Sequence, residues 1–417
     1  MTTTSPPVPT TTADANPLAS RLAAGAVTTM FAVNGLLLGG NGGALPSLRD
    51  KLGIGDTSIA IMLFCAGLAG ILSMQVGGRL ADAIGARTVA LAALPILVAA
   101  ALTIALAPTY GVAVVGLILL GLGNGAMDVS MNAVAVQVEA ARRRPIMSSF
   151  HAYFSLGGFA GAGAVLIMAK GLGITGGAIV TPLMISIAAV ALLIWVVLIK
   201  ITPQTATVPH RVDGVRTRIP RAAWILGAMA LAFGLSEGTA VDWSSLHVTD
   251  VARVDPTTGA LGLIAVSGFM VVIRLLGDRL VARFGRRAVV RFGGICAALG
   301  YAMVTLVSTL PLLVVGWSLV GFGVGMIAPQ VYAVAGHLGG GRVLAVVVTF
   351  GYAAFLMGPA VIGFGVRHLG IHHAMAVPAI LCAGIIALAA TLPRSDADLA
   401  QPRSDADLDA GAPAAQT

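Results

Sequence analysis

Twelve long apolar runs, each bounded by charged or turn-forming residues, set the rhythm of this chain. They fall at about 21–46, 57–78, 86–107, 110–138, 147–169, 176–200, 222–246, 257–277, 288–309, 311–337, 343–366 and 373–393. A helix that crosses a bilayer needs roughly 20 consecutive apolar residues, and each run is about that long or longer. The pattern predicts an all-α membrane protein with twelve transmembrane helices. Only Pro108-Thr109 divides the third run from the fourth, and the ninth and tenth divide near Pro311. Both junctions predict tight hairpins.

Composition supports the bilayer as solvent. Of the 417 residues, 57% are hydrophobic and 10% are Asp, Glu, Lys or Arg, and mean hydropathy is +0.94. An average soluble domain has about 25% charged residues and keeps a large water-facing surface that these residues cover. Two tails depart from the pattern. Residues 1–19 are rich in Thr, Pro and Ala. They lack the basic and apolar regions of a cleavable signal peptide and read as a disordered N-terminus. Residues 394–417 read as a disordered C-terminus, and PRSDADL occurs twice, from Pro393 and from Pro402.

Charge sets the orientation. With both termini cytoplasmic, 20 of the 25 Lys and Arg lie on the cytoplasmic side, and only Arg49, Lys51, Lys170, Arg253 and Arg367 lie outside it. This is the positive-inside bias. It accounts for the net charge of +8 without a nucleic-acid partner, because the basic residues are scattered over short loops and form no single patch. Cys65, Cys296 and Cys382 all lie in apolar runs and read as small hydrophobes. No disulfide framework, metal site or other cofactor is implied.

The chain also repeats itself. GGRLADAIGARTV at 77–89 returns as GDRLVARFGRRAV at 277–289. At the same offset of 200, GLGNGAMDVSMNAV at 121–134 aligns with GFGVGMIAPQVYAV at 321–334, and Phe150, Gly158 and Gly163 match Phe350, Gly358 and Gly363. The Leu156–Leu356 pair matches too. The chain therefore divides into a six-helix bundle over 20–200, a basic cytoplasmic linker over 201–221 and a second six-helix bundle over 222–393. An even number of spans gives both halves one orientation, so the repeat is parallel. Parallel halves around an axis normal to the membrane are a transporter architecture.

The duplicated segment is the loop between helices 2 and 3 and its twin between helices 8 and 9. There the chain resembles the major facilitator superfamily, whose loop signature is G-x-L-(A/G)-D-(R/K)-x-G-(R/K)-(R/K). Gly78, Leu80, Ala81, Asp82, Gly85 and Arg87 match it, while Ala83 and Ala86 depart from it. The second copy keeps Leu280, Arg283, Gly285, Arg286 and Arg287, with Ala282 at the acidic position; Asp278 and Arg279 precede it. The resemblance spans 20–393 and implies the superfamily's two-half fold, with this cluster as a cytoplasmic gating latch. The alternative is a plain positive-inside turn. In the residues themselves, Gly78 would let helix 2 approach a neighbour, Asp82 would accept charge-assisted hydrogen bonds, Gly85 would turn the chain and Arg87 would anchor at the headgroups. The R-x-x-Q-G of proton-linked drug exporters is missing from helix 4, which has Gly121-Leu122-Gly123-Asn124-Gly125 instead. Sugar-porter signatures such as P-E-S-P-R are absent as well. EGTAVDWSSL in helix 7 and RLLGDRLVARFG after helix 8 look like a bacterial inner-membrane branch of the superfamily.

Polar residues within apolar spans are costly and become functional candidates. Glu237 lies in helix 7, in the outer half of the membrane if that helix starts near Ala222. Asp242 and Trp243 would follow near the extracellular surface, where an interfacial Trp is expected. A carboxyl at Glu237 is costly when charged and cheap when protonated, which suits proton coupling; the alternative is a structural hydrogen bond. Asn124, Asp128 and Asn132 share one face of helix 4, and Ser148, His151 and Ser155 one face of helix 5. Asp128 and His151 should lie at similar depth, as a proton or substrate relay or as a pin between two helices. Helix 1 adds Asn34 and Asn41, and helix 10 adds Gln330 and Tyr332. Arg274 precedes Asp278 by four residues, the spacing of an ion pair at the cytoplasmic mouth.

No nucleophile–base set, metal-ligand spacing or nucleotide loop is present. GLGNG, GFGVG and GGFAGAG have no following Lys-Ser/Thr and no preceding strand, so they read as helix-contact glycines rather than phosphate loops. The expected protein is not an enzyme. It is a monomeric secondary active transporter of a small molecule in the plasma membrane, with protons as the coupling ion. A membrane sensor or scaffold of the same fold is the alternative.

Overall fold

The computed structural model describes residues 16–142, 146–205, 207 and 219–392, with side chains at all of these except 278, 339–342, 345 and 356. Most of the two predicted tails and most of the basic linker, with Arg143, Arg144 and the side chains of Arg342 and Leu356, lie outside the described residues.

The N-terminal half is built from α1 (Arg21–Leu52), α2 (Asp56–Ile84), α3 (Ala86–Leu106), α4 (Tyr110–Arg142), α5 (Met147–Leu172) and α6 (Val180–Ile201). The C-terminal half has α7 (Arg221–Ala252), α8 (Leu261–Phe284) and α9 (Arg286–Leu306), followed by helical backbone unbroken from Leu310 to Ala374. Two spans make up that stretch, α10 (Leu310–Leu338) and α11 (Val346–Ala374). They cannot form one straight rod. The Tyr332 hydroxyl lies against Gly351, whereas a straight helix would hold those residues roughly 28 Å apart. The chain therefore doubles back between them. A last helix, α12 (Ala376–Leu388), completes the set, and no strand occurs among the described residues.

Eleven helices are long and apolar enough to cross a membrane, and Ala376–Thr391 is shorter. The predicted twelfth run, 373–393, loses its start because α11 continues to Ala374 and only Met375 separates the two helices. Several other helices outrun their apolar cores. Pro46 lies inside α1, which continues to Leu52, and α7 continues past residue 246 to Ala252. Neighbouring helices satisfy the backbone group that a proline frees, so a span need not end there.

The repeat reappears in the packing. A Cβ on Gly121 of α4 would meet the Ala66 carbonyl of α2, and a Cβ on Gly321 of α10 would meet the Val266 carbonyl of α8. Likewise Gly116 packs on Ile104 and Gly316 on Val304. Gly123 packs on Leu97 and Gly323 on Ala297. Each pair recurs at the offset of 200. Helices have no hydrophobic drive to associate in lipid, so close backbone approach at small residues supplies the contact.

The halves meet through α5 against α8, α2 against α11, and α1 against α7. Gly363 of α11 lies on Ala60 of α2, and Gly158 of α5 lies by Ser267 of α8. The loops at Gly85 and Gly285 share one face of the molecule, the basic face. The ends of α1 and α7 at Leu52 and Ala252 lie on the other, the far face.

Candidate functional site

The middle of α7 holds the first element of the site. Glu237 is about 24 Å along the helix from Arg221 and about 22 Å from Ala252 at 1.5 Å per residue. It is thus near the middle of the helix, because α7 runs further than its apolar core. Trp243, expected at the interface, is 1% exposed and packed in the core.

An arginine answers the carboxylate. Arg274 Nη2 of α8 donates to Glu237 Oε1 at 2.8 Å, and its Nη1 donates to Ser155 Oγ of α5 at 2.6 Å. The side chains are 9% and 14% exposed for Arg274 and Glu237, so both charges are largely withdrawn from solvent. Among the described residues Arg274 thus pairs with Glu237 on the neighbouring helix, where the expectation was Asp278 at the mouth. Arg274 lies in the interior of α8, where a lone cation is costly, and its fork reaches the neighbouring helix. The Asp278 side chain lies outside the described residues. Ser155 belongs to the other half, so the cluster ties the halves together.

Two tyrosines flank the pair. Tyr332 of α10 and Tyr301 of α9 both lie within electrostatic range of Glu237. The Tyr332 ring packs edge-on against Phe233, with centroids 5.8 Å apart. The Tyr301 hydroxyl donates to the Ser236 carbonyl. His151 of α5 lies within electrostatic range of Arg274 and sets its ring edge-on against Phe31 at 5.1 Å.

The other predicted residues divide by what they touch. Asp128 of α4 comes near Tyr352 of α11, across the two halves. No hydrogen bond joins Asp128 to His151 among the described residues. Asn132 turns its amide back to the Asp128 carbonyl at 2.8 Å. Asn34 Nδ2 donates to Asn124 Oδ1 at 3.0 Å, pinning α1 to α4 within one half. Asn41 is buried in the glycine-rich stretch of α1. Gln330 accepts from Arg286 Nη1 at 2.7 Å, so it joins the 8–9 loop to α10 rather than facing Glu237.

In the duplicated loops, Gly85 and Gly285 take φ of 91° and 78°, a region that excludes side chains in practice. Arg87 binds backbone of its own half. Its Nε and Nη2 donate to the carbonyls of Thr202 and Ile199, both at 2.8 Å, at the end of α6. Arg287 repeats this on the Leu392 carbonyl beyond α12, at 2.7 Å. Free carbonyls at a helix C-terminus attract cations. Close approach to α4 falls at Gly77, where a Cβ would meet Ala126 at 3.2 Å; at Gly78 the nearest atom is an ordinary 3.7 Å away. Asp82 is engaged by a partner, and Arg279 is exposed.

The far face carries a cluster that the sequence reading missed. Arg49, at the end of α1, donates to Asp56 Oδ1 of α2 at 2.6 Å and to Asp250 Oδ2 of α7 at 2.7 Å. A second Arg49 nitrogen also reaches Asp250. The ion pair therefore crosses between the halves. One signal was present: charges at the ends of α1 and α7, on the side that the basic residues avoid. Tyr352 gave no such signal, since a tyrosine in an apolar run is ordinary.

A family model of the Major Facilitator Superfamily matches residues 27–338 and 247–415. A transporter of Sinorhizobium fredii (strain NBRC 101917 / NGR234), named as the uncharacterized transporter y4wD, is 34% identical over 81% of this chain and 89% of its own. The chain belongs to the major facilitator superfamily. An uncharacterized MFS-type transporter of Yersinia pestis is 31% identical over 87% of this chain and 94% of its own. The membrane protein MosC of Rhizobium meliloti is 25% identical over 88% and 89%. Among solved structures, the nucleoside transporter NupG superposes with a TM-score of 0.67 at 13% identity, covering 87% of this chain and 97% of that one. The human organic anion transporter MFSD10 (TETRAN) gives 0.64 at 14%, covering 88% and 99%. At those identities the likeness is one of fold. As a member of this superfamily the chain is a multi-pass membrane transporter and not an enzyme.

Proposed function

We propose that this transporter is secondary active. It moves a small molecule by alternating access, with protons as the coupling ion and Glu237 as the residue that carries them. The observation behind this is the Glu237–Arg274–Ser155 cluster, which lies midway along α7 and joins both halves. In this reading the bodies over 20–200 and 222–393 rock about the cluster as monomers. The basic face, with both termini, is cytoplasmic in a bacterial plasma membrane. Asp82, with Gly78, Gly85 and Arg87, and the second copy around Arg279, Gly285, Arg286 and Arg287 serve the gate on that face. Asp128 with Tyr352, and His151 beside Arg274, are the next groups in line for substrate or proton.

A buried charge needs a partner, because losing one costs several kcal/mol. Protonation of Glu237 would therefore change which arrangement of α7 and α8 is favoured, as a switch between access states requires. Flux into proteoliposomes under an imposed pH gradient tests this, with solutes drawn from metabolites that differ between a deletion strain and its parent. Glu237→Gln, close in shape to the protonated acid, is expected to abolish accumulation while keeping passive exchange. Accumulation by Glu237→Gln equal to wild type would remove Glu237 from coupling.

A further inference from the structure

We infer that the transported solute is a small organic monoanion, held through its carboxylate by Arg274 when Glu237 is protonated. This rests on the coupling role of Glu237 proposed above and adds the substrate's chemistry.

Charge balance selects the solute. With Glu237 ionised the pair is neutral, and Arg274 spends Nη2 on the carboxylate and Nη1 on Ser155. A proton taken from water onto Glu237 removes the negative charge and leaves the guanidinium alone. An uncompensated charge at that depth is strongly disfavoured. A monoanion restores neutrality, whereas a neutral solute leaves the cation unpaired and a cationic one adds repulsion. A dianion would overshoot by one charge. Proton and monoanion would therefore bind together, and the loaded site would carry no net charge.

Geometry supports the same conclusion. Arg274 Nε is buried and has no hydrogen-bond partner, so one donor of the fork is unspent. The guanidinium fork matches a carboxylate through two parallel bonds, which a compact ammonium cannot do. Ser155, on α5 in the opposite half, holds the same arginine with its hydroxyl, and His151 lies one turn before it on that helix. A bound anion would thus touch both bodies.

The groups facing the pair can be enumerated by helix. Tyr301 on α9 and Tyr332 on α10 lie within electrostatic range of Glu237, and His151 on α5 within that of Arg274. Asp128 on α4 and Tyr352 on α11 come next, beyond Tyr332. On α12, Cys382 reaches Ser236, the residue before Glu237. Asp242 lies further along α7, and on α1 the nearest charge is Arg49 at its far end. Of the side chains named, only Arg274 is a permanent cation near Glu237.

The test uses the purified full-length protein and related solutes of different charge: benzoate, benzamide and benzylamine; lactate and lactamide; glucuronate, glucose and glucosamine. Thermal unfolding is followed at pH 5.5 and 7.5, together with proton uptake on mixing. At least one carboxylate is expected to raise the unfolding midpoint by several degrees. The shift should be larger at pH 5.5, with about one proton taken up per anion at pH 7.5, while the amide, sugar and amine counterparts give no shift. Arg274→Gln should lose the shift and Arg274→Lys should keep part of it. Glu237→Gln should show a shift independent of pH and take up no proton. A shift from a neutral or amine solute that Arg274→Gln abolishes would overturn the assignment, as would a panel in which no carboxylate shifts wild type. Should Arg274→Gln fail to fold, the matched solutes on wild type and Glu237→Gln decide alone. Flux separates the two readings. A carboxylate that binds with a proton but is not moved in proteoliposomes sinks the transport role and leaves the anion site standing. An amine or neutral solute accumulated through Glu237 does the reverse.

Discussion

The two halves share a scaffold and differ in chemistry. Gly121 and Gly321, Gly116 and Gly316, and Gly123 and Gly323 hold equivalent contacts at an offset of 200. Arg87 and Arg287 both bind the carbonyls at the end of the last helix of their half. The site residues break this symmetry. Glu237 has Leu37 as its counterpart, Arg274 has Met74, Asp128 has Ala328 and His151 has Gly351. Backbone approach must be satisfied in both bundles, so the small residues recur. In the proposed reading a solute needs one set of polar groups between the bundles, so each half contributes a different part. Glu237 and Arg274 come from the C-terminal half, and Ser155 and His151 from the N-terminal half.

The largest expected effect comes from the asymmetric part. Glu237→Ala leaves Arg274 charged and buried without its carboxylate, a loss of about 3 kcal/mol or more. The double variant Glu237→Ala/Arg274→Ala should recover most of that stability while remaining unable to transport. Thermal unfolding of the single and double variants checks this, and a double variant as unstable as the single would show that the charges do not offset each other.

Next come the shared contacts. Gly121→Val and Gly321→Val each drive a side chain into a facing carbonyl, and overpacking of this kind costs about 1–3 kcal/mol. The two variants should lose similar amounts, read as unfolding midpoint and yield of monodisperse protein. A loss confined to one half would mean that the repeat is one of sequence and not of mechanics.

A smaller effect is expected at the far face. Arg49→Gln removes the ion pair to Asp250 that joins the halves. For a partly exposed pair this is worth roughly 1 kcal/mol, a several-fold shift toward the state open on that face. Labelling of a reporter cysteine placed between α1 and α7 should rise accordingly, and unchanged labelling would deny Arg49 a gating role.

The smallest is a cap. Gly53 ends α1 at φ 60°, and Arg253 ends α7 at φ 55°, the left-handed conformation that glycine adopts without steric cost. Arg253→Gly should be neutral or stabilising by up to ~1 kcal/mol. Gly53→Arg should lose a similar amount. Equal and opposite shifts in unfolding midpoint would tie these two helix ends to one geometry.

Much of this was legible along the chain. The apolar runs name the bilayer as solvent because burial is a sum over local residues, and the offset of 200 and the loop motif follow from identity alone. Helix ends were less legible. Pro46 and the polar turns at the ends of α1 and α7 read as stops, yet packing carries both helices on to Leu52 and Ala252. Partners were decided only by the tertiary structure. Glu237 and Arg274 are 37 residues apart, Arg274 and Ser155 are 119, and Arg49 and Asp250 are 201. An i,i+4 spacing favoured Asp278 for Arg274, but the arginine pairs with Glu237 on the neighbouring helix. The physical reason is that helical periodicity states which face a residue occupies, while the rotation and approach of neighbouring helices determine which face it meets.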